Sequence, residues 1–469
     1  MEYQDVFPYV AEEWAVKGTE EKPRLVNWKS GKIVSLQNHK VLSCLLAIDG
    51  TKSINDIIGS CNIPLQTESE LKKFYDKFAE IGAIIYSPTP CKHPLDVALS
   101  SKEPWLREVH MDITSNCNLR CIHCFWGNNL SQFANSDLSN WKKLIFDMKK
   151  SGVSRTVVSG GEALTNPDFE EIVITVIDSH IFLAAVFTNG TIWNAAVDNL
   201  LNRICQEKLK TSFYISLDGY TSEQHDYIRG NGNFCKTIDF IKKLVDYRET
   251  HDGQYKIVVN SLVHQKNYRN LVEWYNYLES MNVDRWRITA GRDIGNFKNN
   301  YGILKVSPEE VADQYVQLIY FLIKHSQASE KIMDMNVENL FTTKALKSRK
   351  MYLFDKELCI CDYKYNGCSV NPQGNVQFCT SWQSITYGNA FQKPLEEIWL
   401  SDAMQKMKNM KISEITKCAS CDLLQYCGGG CRLECQTLED KDDNVCETFR
   451  VFKDKILPIL QSLGIQFLV

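Results

Sequence analysis

The feature that most restricts the fold of this 469-residue chain is a regular alternation of strand-like and helix-like segments between residues 107 and 310. Segments rich in β-branched and aromatic residues are separated by stretches long enough for a helix. The predicted strands are Val109–Thr114, Thr156–Ser159, Leu183–Thr188, Ser212–Leu217, Ile257–Val263 and Trp286–Thr289. Strands joined by helical crossovers form a parallel sheet. We therefore predict an α/β fold whose sheet is open or curves toward a partial barrel.

Eighteen cysteines distinguish this chain from an ordinary globular composition. Thirteen of them lie in two groups, three between residues 117 and 124 and ten between residues 359 and 446. The amino terminus lacks the basic and apolar parts of a signal peptide, and no apolar run approaches the length of a membrane span. We therefore expect a cytoplasmic protein with no membrane partner, whose clustered cysteines bind metal rather than form disulfides. A net charge of −4 gives no reason to expect a nucleic-acid partner.

The first cysteine group has the spacing C-x3-C-x2-C and directly follows the first predicted strand. Cys117, Cys121 and Cys124 can hold three irons of a [4Fe–4S] cluster, which leaves the fourth iron open to an external ligand. The amino and carboxylate groups of S-adenosylmethionine suit that position. The spacing also permits a structural zinc site with His123 or His110 as the fourth ligand.

Polar and glycine-rich motifs follow the next three strands, at the edge of the sheet where binding sites gather. These motifs are Gly160-Gly161-Glu162, Thr188-Asn189-Gly190 and Ser216-Leu217-Asp218-Gly219. Paired glycines let the backbone approach a ligand, and Glu162 can accept a hydrogen bond from an ammonium group. The polar residues Asn189, Ser216 and Asp218 can bind a ribose or a carboxylate. Arg229 can pair with the carboxylate.

Together these motifs resemble the radical S-adenosylmethionine superfamily over roughly residues 107–310. The resemblance implies a partial (β/α)6 barrel, similar to part of a TIM barrel, that binds S-adenosylmethionine at the cluster of Cys117, Cys121 and Cys124. An electron from that cluster would cleave the cofactor to a 5′-deoxyadenosyl radical. The resemblance also implies that the backbone of His123 contacts adenine and that Ile288, on the sixth strand, packs against it.

The second cysteine group contains enough thiolates for two fully ligated [4Fe–4S] clusters, although one or two zinc knuckles remain an alternative. Its pattern is similar to the SPASM extension of peptide-modifying members of the superfamily. By that resemblance the first auxiliary cluster is held by Cys361, Cys368, Cys379 and Cys431, and the second by Cys418, Cys421, Cys427 and Cys446. Cys359 is an alternative to Cys361, and Cys435 repeats the spacing that precedes Cys431. The chain is thus expected to bind three [4Fe–4S] clusters.

Residues 1–87 read as a small module with its own hairpin, helices and closing strand. Residues 24–28 and 33–36 flank the turn around Gly31, and a helix is expected to start near Asn38. Thr67 and Glu70 form a capping box for a later helix. The module resembles the winged-helix element named after the pyrroloquinoline-quinone peptide chaperone, which binds a precursor-peptide leader as an added strand. DNA binding is a weaker alternative, because no helix has a basic face.

These observations divide the chain into five segments. They are a leader-recognition domain (1–87), a linker (88–106), a radical barrel (107–310), a helical bridge (311–358) and a SPASM domain with two auxiliary clusters (359–469). The predicted reaction cross-links residues of a ribosomal precursor peptide, with a thioether favoured and a flavodoxin or ferredoxin as electron donor. The alternatives are a carbon–carbon cross-link, oxidation of the type carried out by anaerobic sulfatase maturases, and a non-catalytic zinc or iron–sulfur regulator.

Overall fold

The structure of the chain is a computed structural model that describes residues 6–36, 39–60, 67–329, 332–361 and 366–468. The strands are β1 (Phe7–Val10), β2 (Trp14–Gly18), β3 (Pro23–Asn27), β4 (Ile33–Ser35), β5 (Ile84–Ser87), β6 (Asp96–Val97), β7 (Glu108–Asp112), β8 (Arg155–Ser159), β9 (Phe182–Thr188), β10 (Ser212–Ser216), β11 (Lys256–Leu262), β12 (Arg285–Thr289), β13 (Asp334–Val337), β14 (Phe341–Thr342), β15 (Lys350–Tyr352), β16 (Gly367–Val370), β17 (Asn375–Gln377), β18 (Gly388–Asn389) and β19 (Gln466–Leu468).

The α-helices cover the outer face of the main sheet and fill the terminal regions. They are α1 (His39–Leu46), α2 (Ile54–Ser60), α3 (Glu68–Ala79), α4 (Leu138–Lys150), α5 (Phe169–Asp178), α6 (Ala195–Glu207), α7 (Ser222–Arg229), α8 (Asn233–Thr250), α9 (Leu271–Ser280), α10 (Gly295–Asn299), α11 (Tyr301–Leu304), α12 (Pro308–Ala328), α13 (Thr343–Ser348), α14 (Leu395–Trp399), α15 (Asp402–Lys408), α16 (Leu424–Cys427), α17 (Asp443–Val451) and α18 (Leu457–Ser462). No helix within the described ranges is long and apolar enough to cross a membrane.

The predicted parallel α/β sheet is confirmed. Strands β7 to β12 lie side by side in chain order, and each pair is parallel. The two faces of the sheet pack differently because successive side chains of a strand point to opposite sides. On β8, Val158 belongs to the large core under the helices, whereas Val157 belongs to a small inner cluster. The carboxyl ends of all six strands meet at one edge, which carries the predicted motifs.

Both edges of this six-stranded unit are extended by strands from later in the chain. The segment 311–358, which we expected to be a helical bridge, contains α12 and also β13, which pairs in parallel with β12. On the other side β16, from the cysteine-rich region, pairs in parallel with β7. These additions give partners to backbone groups that an open edge would leave unpaired.

The amphipathic pattern from Leu395 to Met410 predicts a single helix, but the structure has two there, α14 and α15. The helix breaks because Ser401 takes an extended conformation and its side chain caps α15 by accepting a hydrogen bond from the backbone N–H of Met404. Sequence periodicity alone continues across this break, which is why it predicted a single helix.

The amino-terminal module contains the expected hairpin, with β3 and β4 antiparallel. These strands belong to a four-stranded sheet of order β4-β3-β2-β6, while β1 and β5 form a separate pair. Thr67 caps α3 as predicted, and α1 is described from His39, since the expected start at Asn38 lies outside the described residues. The predicted linker 88–106 supplies β6, which pairs with β2.

The module packs directly against the end of the barrel opposite the predicted motifs. Trp28 is part of the main core and stacks on His180, with ring centroids 4.6 Å apart. Gly31 has a φ of 69°, and a Cβ there would lie 2.4 Å from the ring of Phe182. Glycine is therefore required for the hairpin tip to approach the barrel this closely.

Candidate cofactor and cluster site

The three cysteines of the first group lie on a loop that follows β7 at the carboxyl edge of the sheet. Burial raises the pKa of the Cys121 thiol to about 12 despite the opposing effect of Arg229, and the neighbouring Cys124 and Cys117 raise it further. The three sulfurs are therefore close enough to interact electrostatically. Because metal ligands must lose their protons, a metal bound here replaces protons that the thiols otherwise retain.

The cysteine loop is held from one side by residues that the sequence analysis did not single out. The side chain of Asn296 donates to the carbonyl of Cys121 over 3.1 Å, and its backbone N–H donates to the carbonyl of Cys124 over 2.9 Å. Asn300 donates to the carbonyl of Ile122 over 2.9 Å. Both asparagines belong to the short helical segment after β12, and no sequence signal connects them to a loop more than 170 residues earlier.

The glycine pair is in close contact with the beginning of the cysteine loop. A Cβ on Gly160 would lie 2.4 Å from the carbonyl oxygen of Thr114, and one on Gly161 would lie 2.4 Å from that of Asn116. The backbone of Gly161 donates to Thr114 over 2.8 Å. The two glycines thus allow β8 to approach the beginning of the cysteine loop, and this contact positions the loop.

Glu162 is buried, and its carboxylate accepts three hydrogen bonds from the protein. The donors are the hydroxyl of Thr188 at 2.9 Å and the backbone N–H groups of Asn189 at 2.6 Å and Leu164 at 3.2 Å. Burial raises the pKa of Glu162, and the hydrogen bonds counteract part of that rise. A carboxylate offers about four acceptor positions. One position therefore remains for an ammonium group.

Asn189 brings the end of β9 to the cysteine loop. Its side-chain nitrogen lies 2.9 Å from Oδ1 of Asn118 and 3.9 Å from Sγ of Cys117. Its side-chain oxygen accepts from the backbone N–H of Thr191 over 2.9 Å. The amide therefore lies beside a predicted cluster ligand.

Arg229, which we expected to pair with a ligand carboxylate, forms a largely buried ion pair with Asp218. Its other nitrogens lie 3.9 Å from Sγ of Cys121 and 3.3 Å from Nε2 of His123. Burial alone raises the pKa of Asp218, but Arg229 and then His123 outweigh it and lower the pKa to about 2. Burial and Arg229 lower the pKa of His123 to about 3. A ligand carboxylate would have to share the guanidinium with Asp218.

The other two predicted cofactor contacts lie on strands β10 and β12. Ser216 is half-buried at the end of β10, opposite Asn260 of β11. Ile288 is fully buried in the core beneath the helices and also lines a cavity of about 120 Å³. That cavity lies between the ends of β11 to β13 and helix α17.

The residues at this edge fit a [4Fe–4S] cluster with one open iron and a zwitterionic ligand. Three thiols converge, the Glu162 carboxylate lies near them, and the Arg229 guanidinium is adjacent to Cys121. Nδ1 of His123 is buried and has no hydrogen-bond partner among the described residues. The zwitterion would bring an ammonium group to the carboxylate.

We expect Glu162→Gln to weaken binding of S-adenosylmethionine without removing iron. The amide nitrogen would face a donor, either the N–H of Asn189 or the Thr188 hydroxyl, and the charge would be lost. The expected cost is on the order of 1–3 kcal/mol, measured as the dissociation constant of the cofactor. Glu171→Gln changes an exposed glutamate on α5 and serves as the control. Equal affinity for both variants would mean that Glu162 only shapes a turn.

The cysteines predicted for the second auxiliary cluster lie together. Burial raises the pKa of the Cys427 thiol to about 11, and the thiols of Cys446, Cys418 and Cys421 contribute to the rise. All four lie in the segment between the short helix at Thr416 and helix α17. Their proximity fits a four-thiolate cluster.

The cysteines predicted for the first auxiliary cluster are less fully connected by the structure. Burial raises the pKa of Cys431 to about 11, and Cys361 contributes to the rise, so these two thiols are neighbours. Cys368 on β16 and Cys379 after β17 lie at the same end of one hairpin, given the register of Ser369 opposite Gln377. The two alternative ligands also have defined positions. Cys359 bridges to Lys411 through its backbone, and Sγ of Cys435 lies 3.3 Å from the carbonyl oxygen of Cys431.

Two family models match the chain. Residues 111–274 match the Radical SAM superfamily, and residues 359–422 match SPASM, an iron–sulfur cluster-binding domain. The antilisterial bacteriocin subtilosin biosynthesis protein AlbA of Bacillus subtilis is 23% identical over 402 residues, covering 84% of this chain and 83% of AlbA. The mycofactocin maturase MftC of Mycobacterium tuberculosis is 24% identical over 330 residues, covering 68% of this chain and 76% of MftC.

Solved structures share the fold. Streptococcus suis SuiB bound to S-adenosylmethionine has a TM-score of 0.64 and 17% identity, covering 93% of this chain and 99% of SuiB. SuiB bound to its precursor peptide SuiA gives a TM-score of 0.63 at 16% identity, covering 94% and 100%. Native anSMEcpe with bound AdoMet gives a TM-score of 0.57 at 16% identity, and the match covers 76% of this chain and 99% of anSMEcpe.

Proposed function

Because this chain belongs to the radical S-adenosylmethionine superfamily of enzymes and carries a SPASM domain, we propose that it modifies a ribosomally made precursor peptide. The enzyme would cleave S-adenosylmethionine, and the resulting radical would abstract a hydrogen atom from a residue of the peptide. The observation that carries the proposal is the fold. It matches SuiB, solved with a precursor peptide, over 94% of this chain, and the match to anSMEcpe covers 76%.

We propose a cross-link as the product, with a thioether between a cysteine sulfur and a carbon favoured. The two predicted sets of four cysteines suit two auxiliary [4Fe–4S] clusters in addition to the radical cluster. A fully ligated auxiliary cluster can accept the electron released when the cross-link closes. A flavodoxin or ferredoxin in the cytoplasm would supply the electron that starts the reaction.

The distinguishing experiment uses anaerobically reconstituted enzyme and synthetic copies of any short cysteine-bearing peptides encoded near its gene. A cross-link lowers the peptide mass by two hydrogen atoms. Iodoacetamide then separates the products, since a thioether sulfur no longer reacts, whereas a carbon–carbon link leaves the thiol free. Oxidation of cysteine to formylglycine would instead create a carbonyl that reacts with hydrazine reagents. An unmodified peptide, despite cleavage of S-adenosylmethionine, would contradict the proposed function.

The open edge of β4 supports binding of the leader to residues 1–87 by strand addition. β4 is the last strand of its sheet, so one edge has no strand partner among the described residues. The backbone N–H of Leu36 donates to the carbonyl of Pro23, and the backbone N–H of Asn27 donates to the carbonyl of Lys32. Since hydrogen-bonded pairs alternate along an antiparallel ladder, Val34 faces β3 and the backbone groups of Ser35 face outward.

We expect Ser35→Pro to weaken leader binding at least about tenfold, because it removes an outward N–H donor and hinders a strand at that edge. Ser35→Ala is the matched control, since it keeps the N–H and changes the same exposed side chain. Leader affinity is measured by fluorescence anisotropy with a labelled leader peptide. Equal affinity of the two variants would place the leader elsewhere. A substitution is preferable to deleting residues 1–87, because deletion would remove Trp28 from the main core.

A further inference from the structure

The loop after β12 contacts both groups of clustered cysteines. At its start, the Arg292 guanidinium donates to the carboxylate of Glu434 over 3.2 Å, and the backbone N–H of Asp293 donates to the same carboxylate over 3.1 Å. Glu434 belongs to the cysteine-rich domain. Three residues after Asp293, Asn296 holds the loop of the radical cluster by the two hydrogen bonds described above. Residues 292–296 thus join the two cysteine-bearing regions.

Glu434 lies in the same turn as Cys431, a predicted ligand of the first auxiliary cluster. The backbone N–H of Glu434 donates to the carbonyl of Cys431 over 3.2 Å. The Glu434 side chain is only 5% exposed, and its carboxylate also accepts from the side chain of Asn444 on α17 over 3.3 Å. Because this carboxylate is held from several sides, it fixes the Arg292 guanidinium against the turn that carries Cys431.

Arg292 and Cys431 also interact electrostatically. Burial raises the pKa of the Cys431 thiol to about 11, and Arg292 is the strongest influence that opposes this rise. Burial lowers the pKa of Arg292, but Cys431 and the carboxylates of Glu338 and Glu434 outweigh it and raise that pKa. The guanidinium therefore stays charged and lies close enough to Cys431 to act on the charge of its sulfur.

The charges around Arg292 are nearly balanced by the protein itself. Glu338, which directly follows β13, accepts from Arg292 over 3.4 Å and from Arg287 over 3.1 Å. Together with Glu434 it supplies two carboxylates for two guanidiniums. A cluster held by four thiolates is an anion, and reduction adds one more negative charge. Since the net charge around a cluster helps to set its potential, a fixed cation beside one of its sulfurs favours the reduced form.

We propose that Arg292 raises the reduction potential of the first auxiliary cluster by holding a positive charge beside the sulfur of Cys431. The inference rests on the auxiliary cluster of the proposed function, but not on which peptide is modified. In the reduction the cluster gains one electron from the reductant, and no bond forms or breaks. Arg292 acts through the cluster, so it is a positioning residue. A higher potential makes this cluster a better electron acceptor.

The test is an anaerobic redox titration of the reconstituted enzyme with dithionite, followed by electron paramagnetic resonance. Cys431→Ala identifies the signal of the first auxiliary cluster, because that variant lacks one of the ligands. In Arg292→Gln the reduction equilibrium of this cluster should be at least about fivefold less favourable, which is about 40 mV at 59 mV per factor of ten. Arg292→Lys keeps the charge, so its potential should fall by less than half as much.

Arg285→Gln is the matched control, because Arg285 also pairs with a carboxylate of β13, Asp334, at 2.6 Å but lies at the other end of β12. Its potential should equal that of the intact enzyme. Glu338→Gln is an independent variant. It removes a carboxylate that partly neutralises Arg292, so the potential should rise, and this variant decides the question if Arg292→Gln does not retain the cluster.

Three results would overturn the proposal. They are a shift smaller than fivefold in Arg292→Gln, an equal fall in the glutamine and lysine variants, and an unchanged or lower potential in Glu338→Gln. Cys431→Ala separates these results from a failure of the proposed function. If that variant keeps every iron and every signal, Cys431 is not a cluster ligand, and both the predicted ligand set and this inference are wrong.

Discussion

Replacing Cys117, Cys121 and Cys124 with alanine is expected to abolish cleavage of S-adenosylmethionine while the auxiliary clusters remain. The three thiols lie on one loop after β7, whereas the other predicted ligands lie between residues 359 and 446. Three cubanes hold about twelve irons, so the variant should retain about eight. Iron analysis and the yield of 5′-deoxyadenosine under reducing conditions measure the two effects.

A single-cysteine variant provides the control for that experiment. Cys235 is exposed on α8, so Cys235→Ala should retain all the iron and the full rate of cofactor cleavage. Release of 5′-deoxyadenosine by the triple variant would show that the radical cluster is assigned to the wrong cysteines. Loss of all iron would show that the two cysteine groups do not form independent sites.

Arg229→Met should destabilise the barrel strongly, because it leaves the buried carboxylate of Asp218 without its cation. Removing one partner of a buried ion pair typically lowers the free energy of unfolding by about 3–5 kcal/mol. For a domain of this size the loss corresponds to a fall in Tm on the order of 10 °C. The measurement is thermal unfolding of the cluster-free protein, so that loss of iron does not contribute.

Arg203→Met supplies the comparison, since Arg203 forms an exposed ion pair with Asp178 at 2.6 Å. Surface ion pairs contribute about 0–1 kcal/mol to the free energy of unfolding, so the Tm of Arg203→Met should hardly differ from that of the unchanged protein. The double variant Asp218→Asn, Arg229→Met should recover part of the loss, because no unpaired charge remains. Equal Tm values for Arg229→Met and Arg203→Met would mean that water reaches Asp218.

Some features of the site depend on local sequence and were predictable from it. The six parallel strands were predicted nearly at their observed bounds, because each is a short run rich in β-branched, aromatic or apolar residues, continuous in β9 and alternating in β12. The spacing from Cys117 to Cys124 likewise predicted a metal-binding loop, since three thiols within eight residues can reach one cluster. The capping of α3 by Thr67 involves only neighbours three residues apart.

Contacts between distant residues were decided by the tertiary structure. Arg229 and Asp218 were both assigned to ligand binding, but strand β10 and helix α7 bring them into contact with each other. Positions 160 and 161 require glycine because the loop after β7 lies against them, a contact between segments far apart in the sequence. His110 and Ser159 are 49 residues apart, and only the parallel register of β7 and β8 places them together.

The sequence by itself therefore identified the strands and the candidate metal-binding cysteines. The fold determined which of the other side chains lie together at the site. Strand composition and cysteine spacing are short-range properties, because a few neighbouring residues decide burial or reach a common metal. Pairing across the sheet depends on register, and a shift of one residue would move His110 to the opposite face. That register is set by the packing of the whole core, which no local segment of the sequence encodes.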